Sequence, residues 1–585
     1  VPFFRLCAGR FADTLRQSSR RQRRVALLSL RRAPPAPPPP PLRLAVRLVA
    51  ASVVGCCALP RIARADECSI VESRASLASL SGARITSLTI VSDGPELPGP
   101  ARYATALHPI SRDATIRRQL LFAPGDSVDT LLVGETMRRF RRQRLFSDAV
   151  LLAQRCDASG GIGLVLRTRD SWTLRPTARL RSTNALSIGV EEKNLFGTGR
   201  TVSLTSEMSK WGTGAGVTLV DPWLFGSDVE GSMRLAKLGG AHTLRLGLRN
   251  HEYSVFDRWR AEASISRLSF ADTGSAERSL HALRGGVLVG RQVVRSATAV
   301  TLLLAGAEFD SAAAISPSRR VLPGASAGTP HVRSFLGLDV GALHRTAQYD
   351  TASWVVPGRG FLDVPLGWEA DGVLGAGYER DARAPALKLD AWMGRVWMPV
   401  RGRVVMVDGW ASGYAGRGVD ANQILRLSAA WYEQGWHGMW GARVTGERLL
   451  EVDPDLRALS LMPLADYTAP AVRPYTVRGG ESVSGSLERA FHLFQAGAAS
   501  VVDAGAFVAG SYRWHVASVP DGALRAGVAG ARFRLLSANG AVSSVRVDVG
   551  YPVMLSDALP RKPFAVLTIG TLFDVSRQRD GRRGL

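Results

Sequence analysis

Beyond Trp172 the chain drops helical periodicity and runs in period-2 alternation for about 400 residues, broken by Gly, Asp, Asn and Pro turns. In "HTLRLGLRN" (His242–Asn250), Leu244, Leu246 and Leu248 alternate with Arg245, Gly247 and Arg249. "FLGLDVGAL" (Phe335–Leu343) and "SSVRVDVGYPV" (Ser543–Val553) repeat the pattern, apolar on one face and charged or glycine on the other. Such segments form a soluble sandwich or a membrane barrel, since both have one apolar and one polar face. Three features favour the barrel. The strands are too many for one sandwich, an export signal precedes them, and Trp223, Trp354, Trp397, Trp431 and Tyr551 recur near strand ends. No stretch after residue 65 reaches 18 consecutive apolar residues, so any membrane crossing is made by strands. The expected fold class is mainly β: a transmembrane antiparallel barrel of about 16 strands. In lipid it must close, because an open edge leaves backbone groups unpaired in hydrocarbon.

The net charge of +24 raises nucleic-acid binding, but its location argues against it. Residues 1–65 carry thirteen Arg and a single acid, Asp13, so half of the excess lies in the leader. There Arg43 and Arg47 precede the apolar "LVAASVVGCCAL" (Leu48–Leu59) and the small-x-small exit "ARA" (Ala63–Ala65), the pattern of a secretory signal peptide. A second reading makes "VVGC" (Val53–Cys56) a lipoprotein site with Cys56 lipidated. Residues 1–42 read as an over-extended gene start, the first Met being Met137. After cleavage at Ala65 the cysteines left are Cys68 and Cys156, an even pair that an oxidising compartment can join as a disulfide.

Residues 66–83 read as a linker and residues 84–171 as a small βααββ domain with two helices on a three-stranded sheet. Ile85–Val91 is strand-like. Ser111–Phe122 opens with a capping Ser and Asp and reads as a first helix, ended by Pro124–Asp126. Ser127–Phe146 places Val133, Met137 and Phe140 on one face of a second helix. Ser147–Gln154 and Gly161–Asp170 complete the sheet. Arg138, Arg139, Arg141, Arg142 and Arg144 read as the solvated face of helix two, docking to acidic headgroups or a partner being the lesser reading.

Four places then resemble the BamA/TamA superfamily (bacterial surface antigen family) of outer-membrane barrels preceded by periplasmic POTRA domains. The small domain runs into strand one through "RTRDSWTLRP" (Arg167–Pro176). "EKNLFGTGRTVSL" (Glu192–Leu204) and "DPWLFGS" (Asp221–Ser227) are similar to the family's first strands and turns. "VRGG" (Val477–Gly480), followed by "LERAF" (Leu487–Phe491), resembles its sixth extracellular loop and next strand. "SVVDAGAF" (Ser500–Phe507) resembles the strand after that. The resemblance implies a POTRA-like domain at 84–171, a barrel at 172–575 and a C-terminal tail at 576–585. It implies that the loop motif Val477, Arg478, Gly479 and Gly480 folds into the lumen, where Arg478 pairs with Asp503, with Glu488 and Gly505 on the strands that follow. Val501, Asp503, Gly505 and Phe507 would share the lumenal face. Thr568, Gly570, Phe573 and Val575 are similar to the signal that barrels present to their assembly machinery. Gly480 and Val575 stand where the family usually has aromatics, and Ala499 and Val501 replace a Gly and a Phe.

Sites of other chemistry do not assemble. "GTGRTV" (Gly197–Val202) lacks the third glycine of a dinucleotide fingerprint. "GESVS" (Gly480–Ser484) lacks the last glycine of a nucleophile elbow. The nine histidines have no metal-ligand spacing. The expectation is a non-enzyme without cofactor, metal or catalytic residues, and without a nucleic-acid partner. Its partners would be outer-membrane lipids, unfolded outer-membrane or secreted polypeptides, and a periplasmic protein at the POTRA-like domain. The function that the resemblance implies is assistance to insertion of proteins into the outer membrane of a Gram-negative cell. The alternatives are a polypeptide translocation pore and a structural surface antigen.

Overall fold

The computed structural model describes residues 69–71, 80–95, 105, 108–143, 145–155, 161–182, 185–209, 212–238, 241–250, 254–272, 278–315, 331–352, 362–416, 421–435, 437–450, 481–495, 500–514, 523–537, 544–555 and 563–569. The leader, Cys68, Cys156, the loop motif Val477, Arg478, Gly479 and Gly480, and Gly570, Phe573 and Val575 lie outside the described residues.

The small domain is a mixed sheet with two helices. Its strands are β1 (Ser69–Val71), β2 (Ile85–Asp93), β3 (Phe146–Arg155) and β4 (Ile162–Asp170), in the order β1-β3-β4-β2. β2 runs parallel to β4, and the other pairs are antiparallel. The sheet therefore has four strands rather than three, because Ser69–Val71, read from sequence as linker, pairs with Ala153–Arg155. Three residues carry too little period-2 pattern to be read as a strand. Helix α1 is only Asp113–Arg117, shorter than the sequence suggests. Ser111 does not cap it: its N–H donates to Asp170 Oδ2 at 2.7 Å, and the Arg112 N–H donates to Gly197 O. Tertiary contacts thus claim the residues that would have extended the helix. Helix α2 (Thr130–Gln143) begins at Asp129, whose Oδ1 accepts the N–H groups of Leu131 (2.8 Å) and Leu132 (3.3 Å). Its apolar stripe brings Val133 and Phe140 onto Ile85, Ile116, Leu164 and Leu166, and Phe140 meets Phe146 edge-to-face at 5.1 Å.

The rest is a closed antiparallel barrel. Ten strands come first: β5 (Leu174–Ser182), β6 (Ala185–Leu195), β7 (Arg200–Ser209), β8 (Gly212–Asp221), β9 (Val229–Leu238), β10 (Ala241–Asn250), β11 (Trp259–Asp272), β12 (Arg278–Arg295), β13 (Ala299–Ile315) and β14 (His331–Thr346). A separate hairpin, β15 (Tyr349–Ala352) with β16 (Leu362–Pro365), follows. Then come β17 (Gly367–Glu379), β18 (Ala384–Val400), β19 (Arg403–Gly416), β20 (Ala421–Gly435), β21 (Gly438–Leu450), β22 (Glu481–Gln495), β23 (Ser500–Trp514), β24 (Ala523–Ser537), β25 (Ser544–Leu555) and β26 (Phe564–Ile569). Twenty strands close the ring, correcting the expected number of about 16. The count is hard to read from sequence because the lumenal face is rich in Gly, Asp and Arg, the residue types that also mark turns. β18 and β19, for example, are joined through Arg401 and Gly402 alone.

The outward face is that of a membrane protein. Leu336, Leu338 and Val340 are 67%, 70% and 61% exposed, while Phe335, Asp339 and Leu343 on the opposite face of the strand are buried. A soluble sheet would not leave such a run of large aliphatics in water. At the ends nearest the small domain, exposed Trp259, Trp368 and Trp440 each lie under a guanidinium, those of Arg291, Arg395 and Arg489, at 5.3, 5.2 and 5.0 Å. Tyr378, Tyr512 and Tyr551 are exposed toward the opposite ends. Two aromatic girdles bound the apolar band. Of the sequence-picked aromatics, Trp223 is instead buried in the turn after β8, and Trp354 lies outside the described residues. Among the described residues no helix is long and apolar enough to cross a membrane.

Phe140→Ala should destabilise the small domain by about 3–5 kcal/mol, the usual loss for a fully buried Phe. Hydrogen exchange should speed up in β3 and β4 while the barrel amides stay protected.

Candidate functional site

Three features converge on the part of the barrel where its first and last strands meet. The first is the seam itself. Among the described residues, β26 pairs with β5 through three residue pairs, Leu567↔Leu180, Thr568↔Arg179 and Ile569↔Ala178. By contrast, β23 and β24 pair without interruption from Ser500↔Ser537 to Trp514↔Ala523. Of the predicted assembly signal, Thr568 is therefore placed directly in the seam. The seam is the weakest backbone junction in the described ring.

The second feature is a charged wall on the lumenal face of β22–β25. Alternation turns Arg532 and Arg534 of β24 inward beside Arg546 and Asp548 of β25, in the register Arg532↔Asp548 and Arg534↔Arg546. Arg532 grips Asp548 with two hydrogen bonds, Nε to Oδ1 at 2.7 Å and Nη2 to Oδ2 at 3.1 Å. Its remaining Nη1 donates to Glu488, which Arg534 also contacts. Arg546 lies 3.1 Å from Asp548, and the Arg532 guanidinium stacks 4.8 Å above the Phe507 ring. Three guanidiniums thus share two carboxylates inside the wall, with side chains between 5% and 15% exposed. In such a medium each charge is held by its neighbours, and deleting one partner strands another.

The predicted residues fall in and beside this wall. Val501, Asp503 and Phe507 are buried on the lumenal face as expected, while Val508 is 52% exposed on the other. Asp503 lies opposite Arg534 in the ladder, and its Oδ1 is 3.1 Å from His492 Nδ1. Glu488 is the carboxylate between Arg532 and Arg534. Gly505 has a close-approach role: a Cβ there would come within 2.5 Å of the Arg489 carbonyl oxygen. Sequence reasoning did not single out His492, Arg532, Arg534 or Arg546 as site residues. The signal was the i, i+2 spacing of "RFR" (Arg532–Arg534) and "RVD" (Arg546–Asp548), which puts like-facing charges on adjacent strands.

The third feature is the junction between the small domain and the barrel. β4 ends at Asp170 and β5 starts at Leu174, so the domain is separated from the seam strand by three residues. Asp170 is fully buried and accepts the Ser111 N–H at 2.7 Å. Asn194, at the end of β6, donates to Ser111 Oγ at 2.9 Å and accepts the Gly199 N–H. Beside it, Thr173 donates to Glu192 and lies 2.8 Å from His108 Nε2. On the far side, Arg141 of α2 grips Asp363 of β16 at 2.8 and 3.0 Å. Arg138 pairs with Glu135 and stacks 4.2 Å over Tyr349, and Glu135 accepts the Val255 N–H at 3.1 Å. This corrects the reading of the helix-two arginines as a solvated face: Arg138 and Arg139 are buried. Helical spacing shows that these charges share a face but not what covers it. The domain therefore touches turns from the second to the tenth strand of the ring. Val255 and Phe256, in the turn after β10, pack with lumen-facing Val300, Leu302, Leu304 and Leu343.

No family model and no curated protein sequence matches the chain. Among solved structures it is similar to BamA from Haemophilus ducreyi lacking POTRA domains 1–3, at 11% identity over 84% of this chain and 85% of that one, with a TM-score of 0.40. It is also similar to CdiB from Escherichia coli (12% identity, 83% of this chain and 76% of that one, TM-score 0.42). CdiB from Acinetobacter baumannii follows at 10% identity, 83% and 74% coverage, and a TM-score of 0.39. This chain is similar to BamA and CdiB barrels. The membrane character of its own barrel rests on the exposed aliphatic band and the two girdles. Among the described residues there is no group of three or more His, Cys, Asp or Glu able to hold a metal.

Two outcomes test these sites. Glu488→Leu should destabilise the barrel by about 3–5 kcal/mol, because it leaves Arg532 and Arg534 short of a buried counter-charge; heat-modified gel mobility reads the loss. At the junction, burial pushes the Asp170 carboxyl up to about 6 from its ordinary 3.8. A carboxyl raised in the folded state favours folding most below its unfolded pKa and loses that contribution as pH rises through the folded one. Wild type should therefore gain stability relative to Asp170→Asn as pH falls from about 6 to about 4, by roughly 3 kcal/mol in full. Domain opening measured by hydrogen exchange in both proteins across that range checks the sign.

Proposed function

We propose that the chain is an outer-membrane barrel of the BamA/TamA type, with residues 84–171 as its single POTRA domain, and that it assists insertion of other barrel proteins. The observation that carries this reading is the seam, which has three pairs among the described residues and lies three residues from the domain. A barrel wall must keep its backbone paired in lipid, so a junction with so few pairs is where a client strand can enter at least cost. Beyond Ile85, whose backbone bonds Gly125 and Asp126, the edge of β2 away from β4 has no strand partner among the described residues and offers backbone groups to an extended client segment by β-augmentation. A client captured there would be delivered beside β5. In this reading the domain lies in the periplasm of a Gram-negative cell and the opposite strand ends face outward. The segment Thr568, Gly570, Phe573 and Val575 serves the chain's own assembly. Arg478 returns into the lumen to neutralise Asp503, adding to the charged wall beside the seam. Cys68 and Cys156 form a disulfide that braces the domain.

Export of a polypeptide through the lumen is the second reading, favoured by the charged inner wall of β22–β25. The turn carrying Val255 and Phe256 would then have to move, since its apolar side chains pack on the lumenal face of β13 and β14.

Cysteines at Arg179 and Thr568, which are directly paired across the seam, discriminate between the two. Oxidation should abolish client insertion into vesicles and reductant should restore it, whereas a lumenal exporter would work with the seam tethered. Deleting the gene should deplete many outer-membrane barrels together; loss of one secreted protein alone would favour export. For the loop, Arg478→Ala should lower barrel stability by about 3–5 kcal/mol if it strands Asp503, and a heat-modification midpoint equal to wild type would refute that pairing.

A further inference from the structure

On the outward face of β13, β14 and β17, toward the ends far from the small domain, the wall carries a cavity of about 350 Å³. This lies at the lower end of the range of small-ligand sites. Its origin is a cross-strand pair of small residues, Ser311↔Ser334, beside the larger Phe309 and Leu336. Next along the strands come Phe309↔Leu336 and Leu336↔Tyr378, which form the floor on the domain side. The side chain of Arg380 is exposed, and its N–H is bonded to the Ser334 carbonyl, so it borders the serine end. Alternation confirms the face. Leu336 and Tyr378 are 67% and 50% exposed, whereas Glu379, between Tyr378 and Arg380, is buried and accepts the Ser334 N–H. Asp310, which also lines the cavity, is engaged by Arg284 at 3.0 Å and by the Tyr414 hydroxyl at 2.7 Å, and the exposed Asp381 follows Arg380 in the chain.

The cavity therefore has a polarity along the strand direction, apolar toward the small domain and hydroxyl-rich and cationic toward the far rim. We infer that it binds one phosphorylated, acylated glycolipid of the outer leaflet, an acyl chain lying on Phe309, Leu336 and Tyr378 and a phosphate meeting Arg380. The orientation rests on the proposed periplasmic position of the domain, which makes the cationic rim the outward one. An outer-leaflet lipid has its headgroup on that side and its chains beneath, matching the cavity end for end. A phospholipid of the inner leaflet would point the other way. The two serine hydroxyls suit a sugar headgroup, to whose oxygens they can donate. The guanidinium supplies a planar fork for phosphate.

Full-length protein in detergent micelles, titrated with bisphosphorylated lipid A, its dephosphorylated form or phosphatidylglycerol and read by native mass spectrometry, tests the assignment. Wild type should retain one lipid A. Arg380→Gln should weaken retention about tenfold, the loss of one charged hydrogen bond, and should abolish the preference for the phosphorylated form. Ser334→Phe, which fills the cavity from the lipid face, should abolish retention, with Ser311→Leu as its substitute should Ser334→Phe not fold. Heat-modified gel mobility confirms that each variant is folded. Equal retention by wild type and both variants, or retention of phosphatidylglycerol as strong as that of lipid A, overturns the proposal. Binding in micelles requires neither a client nor an open seam, so the insertion reading fails or stands separately. A wild type that inserts clients but holds no lipid A overturns this inference alone.

Discussion

Every peptide group in the wall of this protein must find a hydrogen-bond partner within the wall, because hydrocarbon offers none. An unpaired backbone group there costs several kcal/mol, which excludes an open sheet and makes strand pairing a condition for existing in lipid. Nineteen junctions of the twenty-strand ring meet this condition between strands consecutive around the ring in chain order, and one must join the chain's beginning to its end. That last junction is the seam of β26 and β5. It cannot be held by a short turn, since the two strands lie almost four hundred residues apart. With three residue pairs among the described residues, it is the part of the ring most open to exchange for another strand.

The interior obeys a second constraint. Charges in a partly desolvated lumen are tolerable only in company, and Arg532, Arg534, Arg546, Glu488 and Asp548 satisfy this by sharing partners. The cluster crosses β22, β24 and β25 near the seam, bracing the wall from within where the ring closes. Outside the membrane, the Asp170–Ser111–Asn194 contacts fix the domain at the seam side. The Arg141–Asp363 fork holds it half-way round the ring. Motion of the domain and motion of the first strand are therefore coupled through three residues of chain.

The inward set Val501, Asp503 and Phe507 was legible in the sequence, because period 2 assigns each strand residue to a face without knowledge of its neighbours. The apolar outer band was legible for the same reason. Helix α2 was found by its Val133, Met137 and Phe140 stripe. Misreadings occurred where local pattern gave way to distant contact. Ser111 has the residue type of a helix cap but its N–H is bonded to Asp170, and β1 is too short to show alternation. The helix-two arginines were read as solvated because nothing in α2 itself reveals Tyr349 or Asp363, the latter 222 residues further on from Arg141.

Sequence alone determined the class of object. An alternation sustained over about 400 residues behind an export signal, without an apolar run long enough for a helix, fits a barrel that buries its outer face in lipid and its backbone by closing. Tertiary structure decided the number of strands, the register, and the charges that meet. The reason is geometric: the period of a strand encodes its two faces, while the identity of the neighbour across the ladder depends on where the chain returns. Glu488 meets Arg532 across 44 residues, and β5 meets β26 across nearly the whole barrel, through contacts that no local pattern specifies.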